Sequence, residues 1–254
     1  MTQLRKALLL SLLLAFGSSG AQAQQQVTLI APVGAQAAIE ALIPGFETST
    51  GYKVKATFGT GLVTKAQIAK GEAFDVPVAQ VPFPEILASG NVIVASQKPL
   101  ASVAVAMAVK AGAAKPDIST PAAVKKLLLS AATIAYPDPG RGAAAGVSFD
   151  KMLKQMGIAE QVEPKLRRAQ GGSVAMTMLA KGEVEIGFTF QSEMNDPGIT
   201  IVGPLPREIC PPTDLAGFVS AHASDAKAAK ALLDYLSSPA AAKAWAAHGM
   251  VPAP

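Results

Sequence analysis

Apolar, β-branched runs alternate with segments of helical length along nearly the whole chain from residue 27 onward, and this alternation limits the fold more than any single motif. Strand candidates are Val27–Ala31, Tyr52–Phe58, Asp75–Ala79, Ser102–Val109, Thr133–Tyr136, Val184–Phe190 and Ile199–Gly203. Helix signals lie between them. Ser119-Thr120-Pro121 supplies cap residues and a first-turn proline for Ala122–Ser130. Ser173 is expected to open Val174–Lys181, which Gly182 ends, and Ser224 to open Asp225–Leu236. Ser238-Pro239 opens Ala240–His248, with Gly249 as the stop. Such a pattern predicts an α/β fold whose mainly parallel sheets carry helices on both faces. The extended, proline-punctuated stretch Thr200–Pro206 precedes two terminal helices. It suits a segment crossing from one lobe back to another, although a single-domain fold could use it too.

The first 23 residues read as a cleavable secretory leader. Arg5 and Lys6 form the positive start, Ala7–Phe16 the apolar core, and Ala21 with Ala23 the small-residue cleavage pattern. The apolar run is shorter than the roughly 20 residues a membrane-spanning helix needs. A chain that begins at Gln24 and works in the periplasm is the expectation.

Composition narrows the partners. The formal charge is +4, and Arg5 and Lys6 of the leader supply two of those charges. The remainder is too near neutral to imply nucleic acid or an anionic membrane surface. Half of the residues are hydrophobic but only 5% are aromatic, so small and aliphatic side chains must build the core. Cys210 is the only cysteine, flanked by Ile209 and two prolines, and reads as structural rather than nucleophilic. His222 and His248 have no metal-ligand spacing, so neither a metal site nor a cofactor is expected. A monomer is the simplest expectation.

Four strand-to-helix turns share small residues at a helix start: Ala31–Ala35, Phe58–Gly61, Asp138–Ala143 and Ala169–Ser173. In an α/β sheet such turns lie at the carboxyl ends of the strands, where ligands bind. Glycine lets a ligand approach the backbone, and a helix N-terminus offers unpaired N–H groups to an anion. Any one turn could be no more than a tight connection; the four together point to a small anion. The candidate ligand-binding residues are Gly34, Ala35, Thr60, Gly61, Arg141, Ala145, Gly172, Ser173, Phe190 and Ser192. Arg141 could clamp a carboxylate or stay solvated. Neither the P-loop nor the dinucleotide fingerprint is present, and no GxSxG elbow occurs. Glu193 leaves the end of a strand, so it could act as a proton-transfer base, or equally cap a helix or bond across a hinge.

Several segments in order, VTLIAPVGAQAAIEALIPGFETSTGYKVKATFGTG, TKAQIAKGEAFDV, ASVAVAMAVKAG, TIAYPDPGRGAAAG, LAKGEVEIGFTF and LLDYLSSPAAAKAWAAHGM, give the chain a family resemblance. It resembles the periplasmic molybdate-binding proteins and the wider type 2 solute-binding proteins. That resemblance implies a two-lobed type 2 periplasmic-binding-protein fold, with residues 24–100 and 205–254 in lobe one and 101–204 in lobe two. It further implies an anion delivered to an ABC permease in the inner membrane. Where molybdate binders carry a serine in the first turn and a tyrosine on the late strand, this chain has Gly34 and Phe190. Their serine cluster in the second turn is reduced to Thr60. The run FTFQSEMNDPGITIVGPLP resembles a subgroup that includes an aconitate isomerase, which implies the alternative of a periplasmic isomerase using Glu193.

Overall fold

The computed structural model describes residues 26–254; the leader expected over residues 1–23 lies outside the described residues. The strands are β1 (Gln26–Pro32), β2 (Lys53–Gly59), β3 (Val76–Gln80), β4 (Val92–Val103), β5 (Val105–Lys110), β6 (Ile134–Pro137), β7 (Leu166–Ala169), β8 (Ile186–Phe190), β9 (Ile199–Pro204), β10 (Thr213–Ser220) and β11 (Val251–Pro252). They form a six-stranded sheet of order β11-β4-β10-β3-β1-β2 and a five-stranded sheet of order β7-β6-β8-β5-β9. The helices are α1 (Gln36–Thr50), α2 (Gly61–Ala69), α3 (Pro84–Ala88), α4 (Pro121–Ser130), α5 (Ala144–Gln155), α6 (Ala159–Val162), α7 (Gly172–Lys181), α8 (Ala226–Leu236) and α9 (Pro239–Ala247). The expected α/β architecture of two helix-flanked sheets is present.

Both sheets are mixed, which corrects the expectation of mainly parallel ones. β1 pairs in parallel with β2 and β3, and β6 with β7 and β8, whereas β10 and β5 run antiparallel to their neighbours. The reason is the crossing chain. The run expected as one strand, Ser102–Val109, is broken at Ala104, so that β4 ends in the first sheet and β5 begins in the second. The return follows β9, and β10 re-enters the first sheet before the two terminal helices. Parallel neighbours are joined by crossover connections within one sheet, whereas β5 and β10 each arrive from the other sheet, so their direction is not tied to the parallel set.

Period-two alternation buries both faces of each sheet. In β1, Val27, Leu29 and Ala31 join α1, α8 and α9, while Ile30 packs with Ile68 of α2 and Ile86 of α3. In the second sheet, Val105, Met107 and Phe188 meet Phe149 and Met152 of α5. The opposite face is built from Ala106, Ala108 and Ala135 against Ala175, Met176 and Leu179 of α7. Those small side chains bring α7 close to the sheet. A β-carbon on Gly187 would lie 2.8 Å from Met176 Cε.

Thr120 and Ser238 cap α4 and α9 as expected, accepting from Ala123 N and Ala241 N at 3.1 and 3.2 Å. Two expected caps differ. Helix α8 is capped by Asp225, because Ser224 is drawn instead to the buried Asp75. Helix α7 begins at Gly172 with Gly171 as its N-cap, so Ser173 lies within the first turn. No helix among the described residues is long and apolar enough to cross a membrane.

Candidate functional site

The four glycine-containing turns leave β1, β2, β6 and β7 at their carboxyl ends and meet between the two sheets. Gly34, Thr60 with Gly61, Ala143 to Ala145, and Gly171 with Gly172 line one cavity of about 30 Å³. Each turn leads into the N-terminus of a helix: α1 through a short 3-10 turn, then α2, α5 and α7.

Side-chain capping divides the longer helices, whereas the short α3 and α6 are uncapped and lie away from the cavity. The helices α4, α8 and α9, which lie away from the cavity, each have a side chain accepting from a first-turn N–H. None of α1, α2, α5 and α7 has a side-chain cap bond. Their first-turn N–H groups lack the usual side-chain acceptor, and an anion in the cavity would supply one. One such group is used across the cleft, where Leu62 N donates to the carbonyl of Gly142 at 3.3 Å.

No lysine, arginine or histidine lines this cavity, and its one ionisable residue is Glu193. Burial holds the Glu193 carboxyl above the usual carboxylate range, opposed in part by the Thr189 hydroxyl and a backbone hydrogen bond at Phe190. Thr189 Oγ1 donates to Glu193 Oε2. In its neutral form this carboxyl is a donor as well as an acceptor, compatible with an anion beside it.

The glycines are there for close approach. A β-carbon on Gly172 would stand 2.2 Å from both Glu193 Oε2 and Thr189 Oγ1, and one on Gly61 would stand 2.1 Å from Gln80 Oε1. A β-carbon on Gly146 would meet the Pro137 carbonyl at 2.0 Å, so Gly146 lets α5 lie against the end of β6. A side chain at Gly34 would press on Phe190, 3.1 Å from Cδ2.

Of the expected site residues, Gly34, Thr60, Gly61, Ala145, Gly172 and Phe190 line the cavity. Ser173 and Ser192 line the adjoining groove with Thr60 and Glu193. Ala35 is buried at the start of α1. Arg141 stands apart: its side chain is 60% exposed and its Nε lies 3.8 Å from Asp138 Oδ2, outside the cavity lining. Cys210 is buried, and burial pushes its thiol up to about 11, which leaves it a poor nucleophile.

Sequence reasoning missed Gln80. It is 3% exposed at the end of β3, it lines the cavity, and its Oε1 has no hydrogen-bond partner; Thr60 Oγ1 is likewise buried and unpartnered. The only signal was a polar residue closing the apolar run Val76–Ala79 at a strand's carboxyl end.

Residues 27–251 match the model of a family described as bacterial extracellular solute-binding protein. An aconitate isomerase from a Pseudomonas species is 32% identical over 242 residues, covering 92% of this chain and 90% of that protein. A molybdate-binding protein of Azotobacter vinelandii is 30% identical over 211 residues, covering 80% and 81%. Among solved structures, the sulfate-binding protein SubI of Mycobacterium tuberculosis superimposes with a TM-score of 0.71 at 19% identity, covering 90% of this chain and 87% of that one.

Proposed function

We propose that this chain, which belongs to the bacterial extracellular solute-binding proteins, captures a small anion, an oxyanion or an organic carboxylate, between its two sheets. One observation carries the reading: four helix N-termini without side-chain caps converge on a cavity that no cationic side chain lines. Neutral N–H donors with a partial positive potential select for anions without a countercharge. The similarity to molybdate- and sulfate-binding proteins supports the same class.

Each sheet with its helices serves as one lobe, and the crossings at Ala104 and after Pro204 serve as hinges. Ligand closes the lobes, and the closed form is what an ABC permease in the inner membrane receives. The leader directs the chain to the periplasm. A thermal-shift screen with molybdate, tungstate, sulfate, citrate and both aconitate isomers tests the reading. A ligand that binds only the folded state at 100 times its dissociation constant stabilises it by about 2.7 kcal/mol. A panel in which no anion raises the melting temperature would remove the proposal.

A second reading is favoured by Glu193. A carboxyl on the cavity wall, raised by burial above the usual carboxylate range, has the placement and pKa direction of a general acid–base, and an aconitate isomerase is among the relatives. Incubation with trans-aconitate, followed by chromatography of the cis isomer, separates the two. Turnover in the wild type that vanishes in Glu193→Gln, with binding retained, would make the protein an isomerase. Binding without conversion makes it a carrier.

A further inference from the structure

Two larger grooves share walls with the cavity, and they differ in charge. The first, of about 480 Å³, shares Gly61, Gln80 and Ala144 with it and runs along the crossing segment after β9. Three basic side chains from three separate elements line this groove: Lys65 of α2, Lys151 of α5 and Arg207 of the crossing segment. Its acids are Glu208 and Asp214. None of the three cations forms an ion pair among the described residues. The second groove, on the other side, contains Glu40 and Glu193 and no lysine or arginine. The unpartnered amide oxygen of the buried Gln80 stands on the wall that the cavity and the basic groove share.

We infer that the ligand is a small organic acid with at least two anionic groups, one held in the cavity by the helix N-termini and the second over Lys65, Lys151 and Arg207. This rests on the anion-binding reading of the cleft and goes further by naming the class of ligand and the residues that select it. A cavity of about 30 Å³ holds one head group and little more, whereas the adjoining groove of about 480 Å³ is of small-molecule size. The Lys65 ammonium donates to the Pro82 carbonyl, and none of the three cations has an acid within ion-pair distance among the described residues, so an anionic group in the groove gains countercharges that the protein does not already neutralise. A single tetrahedral oxyanion fills the cavity but leaves the groove and its cations unused. A polycarboxylate uses both, and its carbon chain passes Gln80.

Calorimetric titration of the full chain tests this, with acetate and molybdate as probes of one head group and citrate and tricarballylate as probes of several. Lys151 and Arg207 are exposed, so Lys151→Ala, Arg207→Ala and the double variant should melt as the wild type does without ligand. The polycarboxylates are expected to bind at least about tenfold tighter than the single-head probes. The double variant should weaken them by about tenfold or more and leave single-head binding unchanged. A single-head anion that binds as tightly as either polycarboxylate overturns the inference, and so does a double variant that changes both classes equally or neither. In those cases anion binding itself survives. Failure of every probe to bind removes the cleft reading, and this inference with it.

Discussion

Ser192 Oγ donates to the backbone carbonyl of Gly34 at 2.6 Å, joining the turn after β8 in one sheet to the turn after β1 in the other. Ser192 is 6% exposed and the two residues are 158 apart in sequence. With Leu62 N to Gly142 O, it holds the two halves together at the cavity. A buried bond of this kind contributes about 1 kcal/mol, and its loss also strands the Gly34 carbonyl. Ser192→Ala should therefore favour the open form. Small-angle scattering of the ligand-free variant should give a larger radius of gyration than the wild type, and equal radii would show that the bond does not govern closure.

The glycines around the cavity fall into two kinds that substitution should separate. A β-carbon on Gly61 strikes the end of the Gln80 side chain, which can swing away, while one on Gly146 strikes the Pro137 backbone carbonyl, which cannot. Gly61→Val should fold but lose its anion, because the new bulk and the displaced amide occupy the site. Gly146→Ala should lose stability by about 1–3 kcal/mol through overpacking. Urea unfolding and ligand titration of the two variants read these effects independently. Normal anion binding by Gly61→Val would place the site elsewhere.

Much of this arrangement was legible beforehand, and the failures have identifiable causes. Strand β1 announced itself because Val27, Leu29 and Ala31 alternate into one core while Ile30 fills another. The four turns were visible because glycine at a helix start is a local signal. Strand β10 was missed because Thr213 and Asp214 open it directly after two prolines, and only its pairing with β3 and β4 makes it a strand. The break at Ala104 was invisible for a related reason: the residues on both sides are equally apolar, and the change of sheet is a tertiary event. Arg141 was expected beside the ligand on its position in a turn. The 3-10 turn Pro139–Arg141, in which Asp138 accepts from Gly140 N, turns that side chain toward Asp138 and solvent. Gln80 carried no pattern of its own.

Asp75 ties three segments of the first sheet together. It is 3% exposed, and its carboxylate accepts from Thr28 N and Oγ1 at 2.7 Å each and from Ser224 N and Oγ at 2.6 and 2.9 Å. Burial opposes its ionisation, but these four donors outweigh burial and hold the carboxyl below the usual aspartate range. A depressed native pKa means stability that is present above the unfolded-state value and is lost as pH falls through the native one. Asp75→Asn can no longer accept all four bonds and should cost about 2–4 kcal/mol at neutral pH. Denaturant melts across the acid range should show the wild type losing this margin on acidification and the variant lacking it throughout. Parallel acid profiles would show that the Asp75 charge is not what the donors stabilise.

Glu193 should give the opposite slope. Burial raises its carboxyl above the usual range, against the Thr189 hydroxyl and the backbone at Phe190. Between the ordinary glutamate value and this raised one, the unfolded chain has released a proton that the native protein still holds. The unfolded state then binds fewer protons, so stability falls as pH rises through that window and levels off once the native carboxyl ionises. Glu193→Gln keeps the shape and an acceptor for Thr189 but cannot ionise, so its stability should be flatter across the same window. An anion in the cavity should sharpen the effect, because it penalises a second negative charge on the wall and binding should then take up a proton. Calorimetry of citrate binding in buffers of different ionisation enthalpy measures that uptake directly. Proton uptake in the wild type that is absent in Glu193→Gln identifies this carboxyl as the titrating group, whereas equal uptake in both assigns the proton to the ligand.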